Sequence, residues 1–148
     1  MYTEENFNSR FEEVMERHYQ HNALKIAQLA NDMFMAERSL RRECQMWLNT
    51  PPSLVLQQYR IEKAKVLLLQ GKSVKEVAFM VGFSYISFFS KVFKQTVGIR
   101  PSEYFYFIKK APLDKVLNLV PNKDHRASKN HVLKKEKSIT ERFEDYIT

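Results

Sequence analysis

Residues 82–101 read GFSYISFFSKVFKQTVGIRP, and this stretch holds two of the chain's three glycines. It contains four phenylalanines, and its three charged residues are all cationic. Because apolar residues recur here at helical spacing, the stretch predicts an amphipathic helix. Ser84 is the predicted N-terminal cap of this helix, and Gly98 ends it. Such a helix buries one face in a core and leaves a cationic, hydroxyl-bearing face for an anionic partner.

A helical wheel centred on Phe89, at ~100° per residue, separates the two faces of this helix. The residues that fall on the buried side are Tyr85, Ile86, Val92, Phe93 and Thr96. The residues on the opposite side are Ser87, Ser90, Lys91 and Lys94. Hydroxyl and ammonium groups donate hydrogen bonds to base edges and phosphates. We therefore interpret the helix as one that its phenylalanines anchor in a core and that enters a groove of nucleic acid.

The chain contains this arrangement twice. At an offset of 48 residues, Ile26, Leu29, Ala30 and Met33 match Val74, Val77, Ala78 and Val81. After one extra residue in the second copy, Leu40, Cys44 and Asn49 match Phe89, Phe93 and Gly98. Each copy is a short helix, a tight turn and a longer helix, which together make a helix-turn-helix unit. The outward residues of the longer helix in the first copy are Arg38, Arg41, Arg42 and Gln45.

These patterns predict an all-α fold with two helix-turn-helix units joined by a long linker helix. Predicted cap residues are Thr3 for the first helix, Asn22 for the second, and Ser73, with Glu76 in a capping box, for the second unit. The predicted parts are an N-terminal helix packing on the first unit (1–22), the first unit (23–52), the linker helix (53–70), the second unit (71–110) and a tail (111–148). The tail is polar, basic and aperiodic, which predicts a mobile segment, although its last residues could form a terminal helix.

The charge of the chain favours an anionic partner. The net charge is +7 and the pI is about 9.5. Residues 1–37 carry a net charge of −4, residues 38–108 carry +7 and residues 109–148 carry +4. A strongly basic segment of this kind favours nucleic acid over a membrane surface as the partner. No stretch is apolar for 18 residues and no signal peptide is recognisable, so we expect a soluble cytoplasmic protein without a membrane partner.

Catalytic and metal-binding chemistry have little support in the sequence. The single cysteine, Cys44, permits no intramolecular disulfide and no cysteine-based zinc site, and its spacing places it in the core rather than at a reactive surface. His18 and His21 share a helix face but lack further ligands. The chain has no glycine-rich phosphate loop and no recognisable catalytic triad. We expect no enzyme, no cofactor and no small-molecule site.

Residues 60–104 resemble the DNA-binding domain of the AraC/XylS family of bacterial transcription regulators. The residues that carry the resemblance are Arg60, Ala64, Leu68, Ala78, Gly82, Phe83, Ser84, Phe89, Phe93, Lys94, Gly98 and Pro101. The resemblance implies an AraC-type, homeodomain-like fold of seven helices. It also implies a transcription regulator, of the activator type, whose two units lie one turn of DNA apart in the major groove. Double-stranded DNA is then the expected partner at the nucleoid, with RNA polymerase as a second candidate.

The resemblance also implies which residues contact DNA. The base-reading positions of the family fall on Arg38, Arg41 and Arg42 in the first unit and on Ile86, Ser87, Ser90 and Lys91 in the second. Ile86 would meet a thymine methyl group rather than donate a hydrogen bond. The expected contacts to the DNA backbone are Gln45, Ser73, Lys94 and Arg100.

The first unit departs from the family pattern. Phe34 stands where the turn usually has glycine or a small polar residue, Ala36 replaces a serine cap, and Glu43 and Cys44 replace apolar residues. An alternative interpretation is therefore a protein-interaction module that uses the same fold to bind a regulator or RNA polymerase. Only about 22 residues precede the first unit, too few for the sensor domain common in this family. The sequence leaves open whether the chain is a stand-alone regulator or a fragment.

Overall fold

The structure, a computed structural model, describes residues 3–110. Within that range the chain forms seven α-helices and no strand, which confirms the predicted all-α class. The helices are α1 (Glu4–His18), α2 (Ile26–Asp32), α3 (Glu37–Leu48), α4 (Pro52–Leu69), α5 (Val74–Met80), α6 (Ile86–Val97) and α7 (Pro101–Lys110). No helix in this range is long and apolar enough to cross a membrane. The predictions for the tail, 111–148, concern residues outside the described range.

Two of the predicted helix caps are present. Asn6 donates its backbone N–H to the hydroxyl of Thr3 at 3.4 Å, at the start of α1. The backbone N–H of Glu76 donates to the Ser73 hydroxyl at 3.2 Å, and the Glu76 carboxylate accepts from the Ser73 backbone N–H at 3.1 Å. This reciprocal pair is the capping box that the sequence predicts at the start of α5.

The two other predicted caps are wrong. Asn22 lies in the turn that follows α1, and the cap residue of α2 is Lys25, three residues later. Ser84 precedes the cap position of α6, which Tyr85 occupies in an extended conformation without a side-chain hydrogen bond. In both places the chain must first complete a reversal, and the extra residues of that reversal displace the helix start. A cap-forming residue type therefore marks the neighbourhood of a helix start but not its position.

Two core clusters share the linker helix α4. The first core cluster combines buried residues of α1–α3 with the N-terminal half of α4: Phe7, Phe11, Val14, Met15, Leu29, Ala30, Met33, Leu40, Cys44, Leu56 and Tyr59. The second combines the C-terminal half of α4 with α5–α7: Ile61, Ala64, Leu68, Leu69, Val77, Ala78, Val81, Phe83, Phe89, Val92, Phe93, Val97, Tyr104 and Ile108. The helix therefore passes from one core to the other between Tyr59 and Ile61.

The turns of the two units have the same backbone geometry. Gly82, between α5 and α6, has a φ of 89°, and Phe34, at the matching position between α2 and α3, has a φ of 56°. Left-handed backbone costs a residue with a Cβ atom about 1–2 kcal/mol, whereas glycine adopts it freely. The first unit therefore has the same left-handed turn as the second in spite of an unfavourable residue, Phe34.

Candidate nucleic-acid interface

The first candidate reading helix, α3, presents its arginines to solvent. Arg38, Arg41 and Arg42 are all exposed, on the face opposite the buried Leu40. Arg41 donates to the carboxylate of Glu37 one turn earlier, with Nε at 3.2 Å from Oε1. Arg42 lies 3.9 Å from Glu43, and Arg38 has no ion pair within the described residues. Exposed pairs of this kind are worth little, so a phosphate or a guanine edge can replace them.

The second candidate reading helix, α6, presents fewer charged side chains than α3 and more hydroxyl groups. Ser87 and Lys91 are exposed, and Ser90 is half-buried. Ile86 is also half-buried, and it packs against the second core cluster. The structure thus brings Ser87, Ser90 and Lys91 to one face, while Ile86, the remaining base-reading candidate, lies at the border between this face and the core.

The four predicted backbone contacts lie in four different places. Lys94 is exposed on α6, on the face of Lys91, and Gln45 is exposed on α3, where its amide donates to Asn49 Oδ1 at 2.7 Å. Arg100 is exposed between α6 and α7. Ser73 lies at the start of α5, and its hydroxyl is already engaged in the capping box, with Oγ 2.9 Å from Glu76 Oε2.

Two exposed aromatic side chains at the start of α6 extend this face. Tyr85 is 72% exposed and Phe88 is 50% exposed, with the Phe88 ring centroid 5.9 Å from that of Phe83. The wheel placed Tyr85 on the buried side, which is wrong because Tyr85 precedes the helix and does not follow its 100° step. Thr96, placed inward by the same wheel, is also exposed. The repeat contains a signal against this placement: at the offset of 49 residues that aligns Leu40 with Phe89, Tyr85 aligns with Ala36, which the resemblance places at a helix cap.

The chemically reactive side chains that the sequence singled out are structural. Cys44 is fully buried in the first core cluster, and burial, with a contribution from Glu43, raises the pKa of its thiol to about 12. This confirms its prediction as a core residue. His18 Nε2 lies 2.5 Å from Asp32 Oδ2 and so links α1 to α2. Within residues 3–110 no three His, Cys, Asp or Glu side chains form a group that could hold a metal ion.

Comparisons with known proteins agree with this geometry. A family model described as "Helix-turn-helix domain" matches residues 29–106, from α2 to α7. The chain is 35% identical over 95 residues to the "Probable thc operon regulatory protein" of Rhodococcus erythropolis, which covers 62% of this chain and 28% of the relative. It is 34% identical over 62 residues to the "HTH-type transcriptional activator CfaD" of Escherichia coli, covering 41% of this chain and 23% of the relative.

The matched regions span about a quarter of these two curated relatives, 28% and 23% of their lengths. Among solved structures, a transcriptional regulator from Chromobacterium violaceum, described as an AraC-type DNA-binding domain-containing protein, superposes with a TM-score of 0.67. The superposition covers 73% of this chain and 96% of that chain at 24% sequence identity, which is a likeness of fold.

Proposed function

The chain belongs to the AraC/XylS family through its helix-turn-helix domain, and from this premise we propose that it is a sequence-specific DNA-binding transcription regulator, of the activator type. In this proposal α3 and α6 each enter the major groove, and the two helices read adjacent segments on one face of the duplex. The observation that carries the proposal is the repetition: two helices at matching positions each bury an apolar face in a separate core and expose a face of hydrogen-bond donors.

Chemistry and exposure support the residue assignments that the resemblance implies. The exposed arginines of α3, Arg38, Arg41 and Arg42, carry the fork of donors that pairs with the two acceptors of guanine. On α6, Ser87, Ser90 and Lys91 donate to base edges, and Ile86 contacts a thymine methyl group from the border of the core. The half-exposed ring of Phe88 adds apolar surface that can also contact a thymine methyl group.

The phosphate contacts set the position of the protein and carry no sequence information. Lys94 and Arg100 supply charge for this purpose, and Gln45 and Ser73 supply neutral donors. Ser73 contributes least through its hydroxyl, since that group is part of the capping box. The net charge of +7 in residues 38–108 supports DNA as the partner. We place the protein at the bacterial nucleoid, with RNA polymerase as a second partner that an activator would recruit.

A salt titration of binding to a random duplex tests the DNA assignment. Each phosphate that the protein neutralises adds about 0.9 to the negative slope of log K against log salt. We expect a steep loss of affinity for the wild type, and a slope about one unit shallower for Lys94→Ala. Arg17→Ala is the matched control, because it removes one positive charge from α1, outside both helix-turn-helix units, and should leave the slope unchanged.

The alternative, a protein-interaction module, predicts a different result. The feature that favours it is the first unit, in which an exposed Phe34 replaces the turn glycine and Arg41 is paired with Glu37. Such a module would bind duplex DNA weakly at every salt concentration. An equal slope for Lys94→Ala and the wild type would remove Lys94 from the interface even if DNA binding itself were strong.

A further inference from the structure

The corner between α1 and α2 lies against the second helix-turn-helix unit. This corner comprises residues 19–21, at the end of the N-terminal segment (1–22) whose helix α1 packs into the first core cluster. Nevertheless, the Tyr19 side chain packs against both core clusters. The principal helix packing otherwise lies within each unit or against α4. The corner is therefore a second connection between the two units, in addition to the linker helix.

Arg60 ties this corner to the linker helix at the point where α4 passes from one core to the other. Its Nε donates to the backbone carbonyl of Tyr19 at 2.8 Å, and its Nη2 donates to the backbone carbonyl of His21, also at 2.8 Å. The two carbonyls are two residues apart, and the planar guanidinium holds both at once. A lysine ammonium lies at the end of a flexible stem and lacks this rigid planar fork, so it would hold the two carbonyls less firmly.

Gly82 brings the turn of the second unit to the same place. A Cβ atom at this position would lie 2.3 Å from the backbone oxygen of Tyr19 and 3.0 Å from the Arg60 guanidinium. The turn between α5 and α6 therefore touches both the corner and the residue that holds it. The turn of the second unit thus lies against the Tyr19 carbonyl of the corner with almost no intervening space.

A layer of charged and aromatic side chains stabilises the corner from the side of α1. The rings of Tyr19 and Tyr59 meet edge to face with centroids 5.7 Å apart, and Lys63 Nζ lies 5.6 Å and 5.2 Å from the two centroids. Lys63 also forms an ion pair with Glu16 at 2.7 Å, and the Tyr59 hydroxyl donates to the same carboxylate. Burial, followed by this carboxylate, raises the pKa of Tyr59, so its hydroxyl keeps the donated proton.

We propose that Arg60 is a positioning residue that fixes the orientation of the two helix-turn-helix units, and so sets the spacing between the two DNA segments that they read. The spacing part of the inference rests on the proposed function. Because each core packs on one half of α4, any bend or twist of this helix between the two cores would change the relative orientation of the units if α4 were the only connection, and would give them freedom to move. The two bonds from Arg60 to the corner, together with the close approach at Gly82, remove that freedom.

A measurement without DNA tests the orientation itself. Spin labels are attached to the full-length protein through Ala27→Cys on α2 and Lys75→Cys on α5, which are exposed and occupy matching positions in the two units. Cys44 is buried and remains unlabelled. We expect a narrow distance distribution for the otherwise unchanged protein, at least a twofold broader one for Arg60→Ala, and an intermediate one for Arg60→Lys.

A matched control separates this role from a general weakening of α4. Lys65→Met removes a buried ammonium group and its 2.7 Å pair with Glu62 from the same helix but does not touch the corner. Its distance distribution should remain narrow. Should Arg60→Ala fail to melt cooperatively, Arg60→Lys makes the same comparison. Equal widths for a folded Arg60 variant and the wild type would overturn the inference.

The spacing part is measured on duplexes in which the two selected half-sites are moved apart or together by one or two base pairs. We expect the wild type to prefer its own spacing by at least about tenfold, and Arg60→Ala to lose most of that preference with unchanged affinity for random duplex. A wild-type preference that the Arg60 variants retain would overturn the spacing role. A wild type that selects no half-sites would instead overturn the proposed function, and the label distances would still decide the orientation.

Discussion

Phe34 shows what a single residue does to the first unit. Its left-handed φ of 56° matches that of Gly82 at 89°, but its side chain is 85% exposed and buries little to offset the backbone cost. The Arg10 guanidinium lies 5.7 Å from its ring centroid, and Arg10 also donates to the backbone carbonyl of Asp32 at 3.1 Å. The turn is therefore held by its surroundings rather than by its own residue.

Replacement of Phe34 isolates this backbone cost. Phe34→Gly and Phe34→Ala both lose the ring and its contact with Arg10, but only alanine keeps a Cβ atom at positive φ. We expect the glycine variant to unfold with a free energy about 1 kcal/mol higher than that of the alanine variant. Urea denaturation of both proteins measures the difference. Equal stabilities would show that the turn relaxes to another conformation when the ring is removed.

Cys44 gives a second test at the scale of one residue. Only the thiolate reacts with disulfide reagents, and burial raises the pKa of this thiol to about 12. At pH 8 the thiol is protonated and covered, so we expect slow labelling in the native protein and fast labelling in urea. The labelling rate of the native protein should keep rising with pH to values well above the pKa of an ordinary cysteine. Rapid labelling of the folded protein at pH 8 would contradict the burial of Cys44 in the first core cluster.

The sequence predicts helix boundaries correctly where they depend on neighbouring residues. It does not predict features that depend on residues far apart in the chain or on the length of a chain reversal. The capping box at Ser73 and the ends at Asn49 and Gly98 depend on neighbouring residues alone, and the structure has them where the sequence predicts them. The starts of α2 and α6 depend on how many residues a chain reversal needs, which no single cap residue reports. The bonds from Arg60 join positions 41 and 39 residues apart, for which no periodic pattern exists.

The capping box of α5 predicts a specific dependence of stability on pH. Hydrogen bonds from the Ser73 backbone and hydroxyl lower the pKa of the Glu76 carboxyl. Because the folded pKa lies below the unfolded one, Glu76 stabilises the protein above the unfolded pKa, and this contribution is lost as the pH falls through the folded pKa. The difference in unfolding midpoint between the wild type and Glu76→Gln should therefore be present at pH 7 and shrink as the pH falls below the ordinary pKa of a glutamate.

The hydroxyl side of the same box provides the matching variant. Ser73→Ala removes the acceptor for the Glu76 backbone N–H, and we expect a loss of about 1 kcal/mol in the free energy of unfolding. Thermal or urea denaturation at pH 7 measures it. A Ser73→Ala variant as stable as the wild type would mean that water satisfies the start of α5 equally well.

At the scale of the whole molecule, two cores on one helix make a single chain long enough to span two groove segments. The 18 residues of α4 extend over about 27 Å at 1.5 Å per residue. Adjacent major-groove segments on one face of DNA lie about 34 Å apart, so units on either side of such a rod can reach both. One protein molecule should then cover about two turns of DNA without a partner subunit and without an inverted repeat in the site.

Selection of bound duplexes from a random pool, followed by footprinting, tests this two-unit reading most directly. We predict an asymmetric consensus with two blocks of preference about 10 base pairs apart, protected by a monomer. Arg41→Ala should relax one block and Ser87→Ala the other, each by about 1–3 kcal/mol per lost base contact. A palindromic consensus that needs protein dimers would contradict the prediction that one protein molecule binds both DNA segments. A single block that responds to Ser87→Ala but not to Arg41→Ala would show that α3 does not read bases. A selection that enriches no sequence would contradict sequence-specific binding altogether.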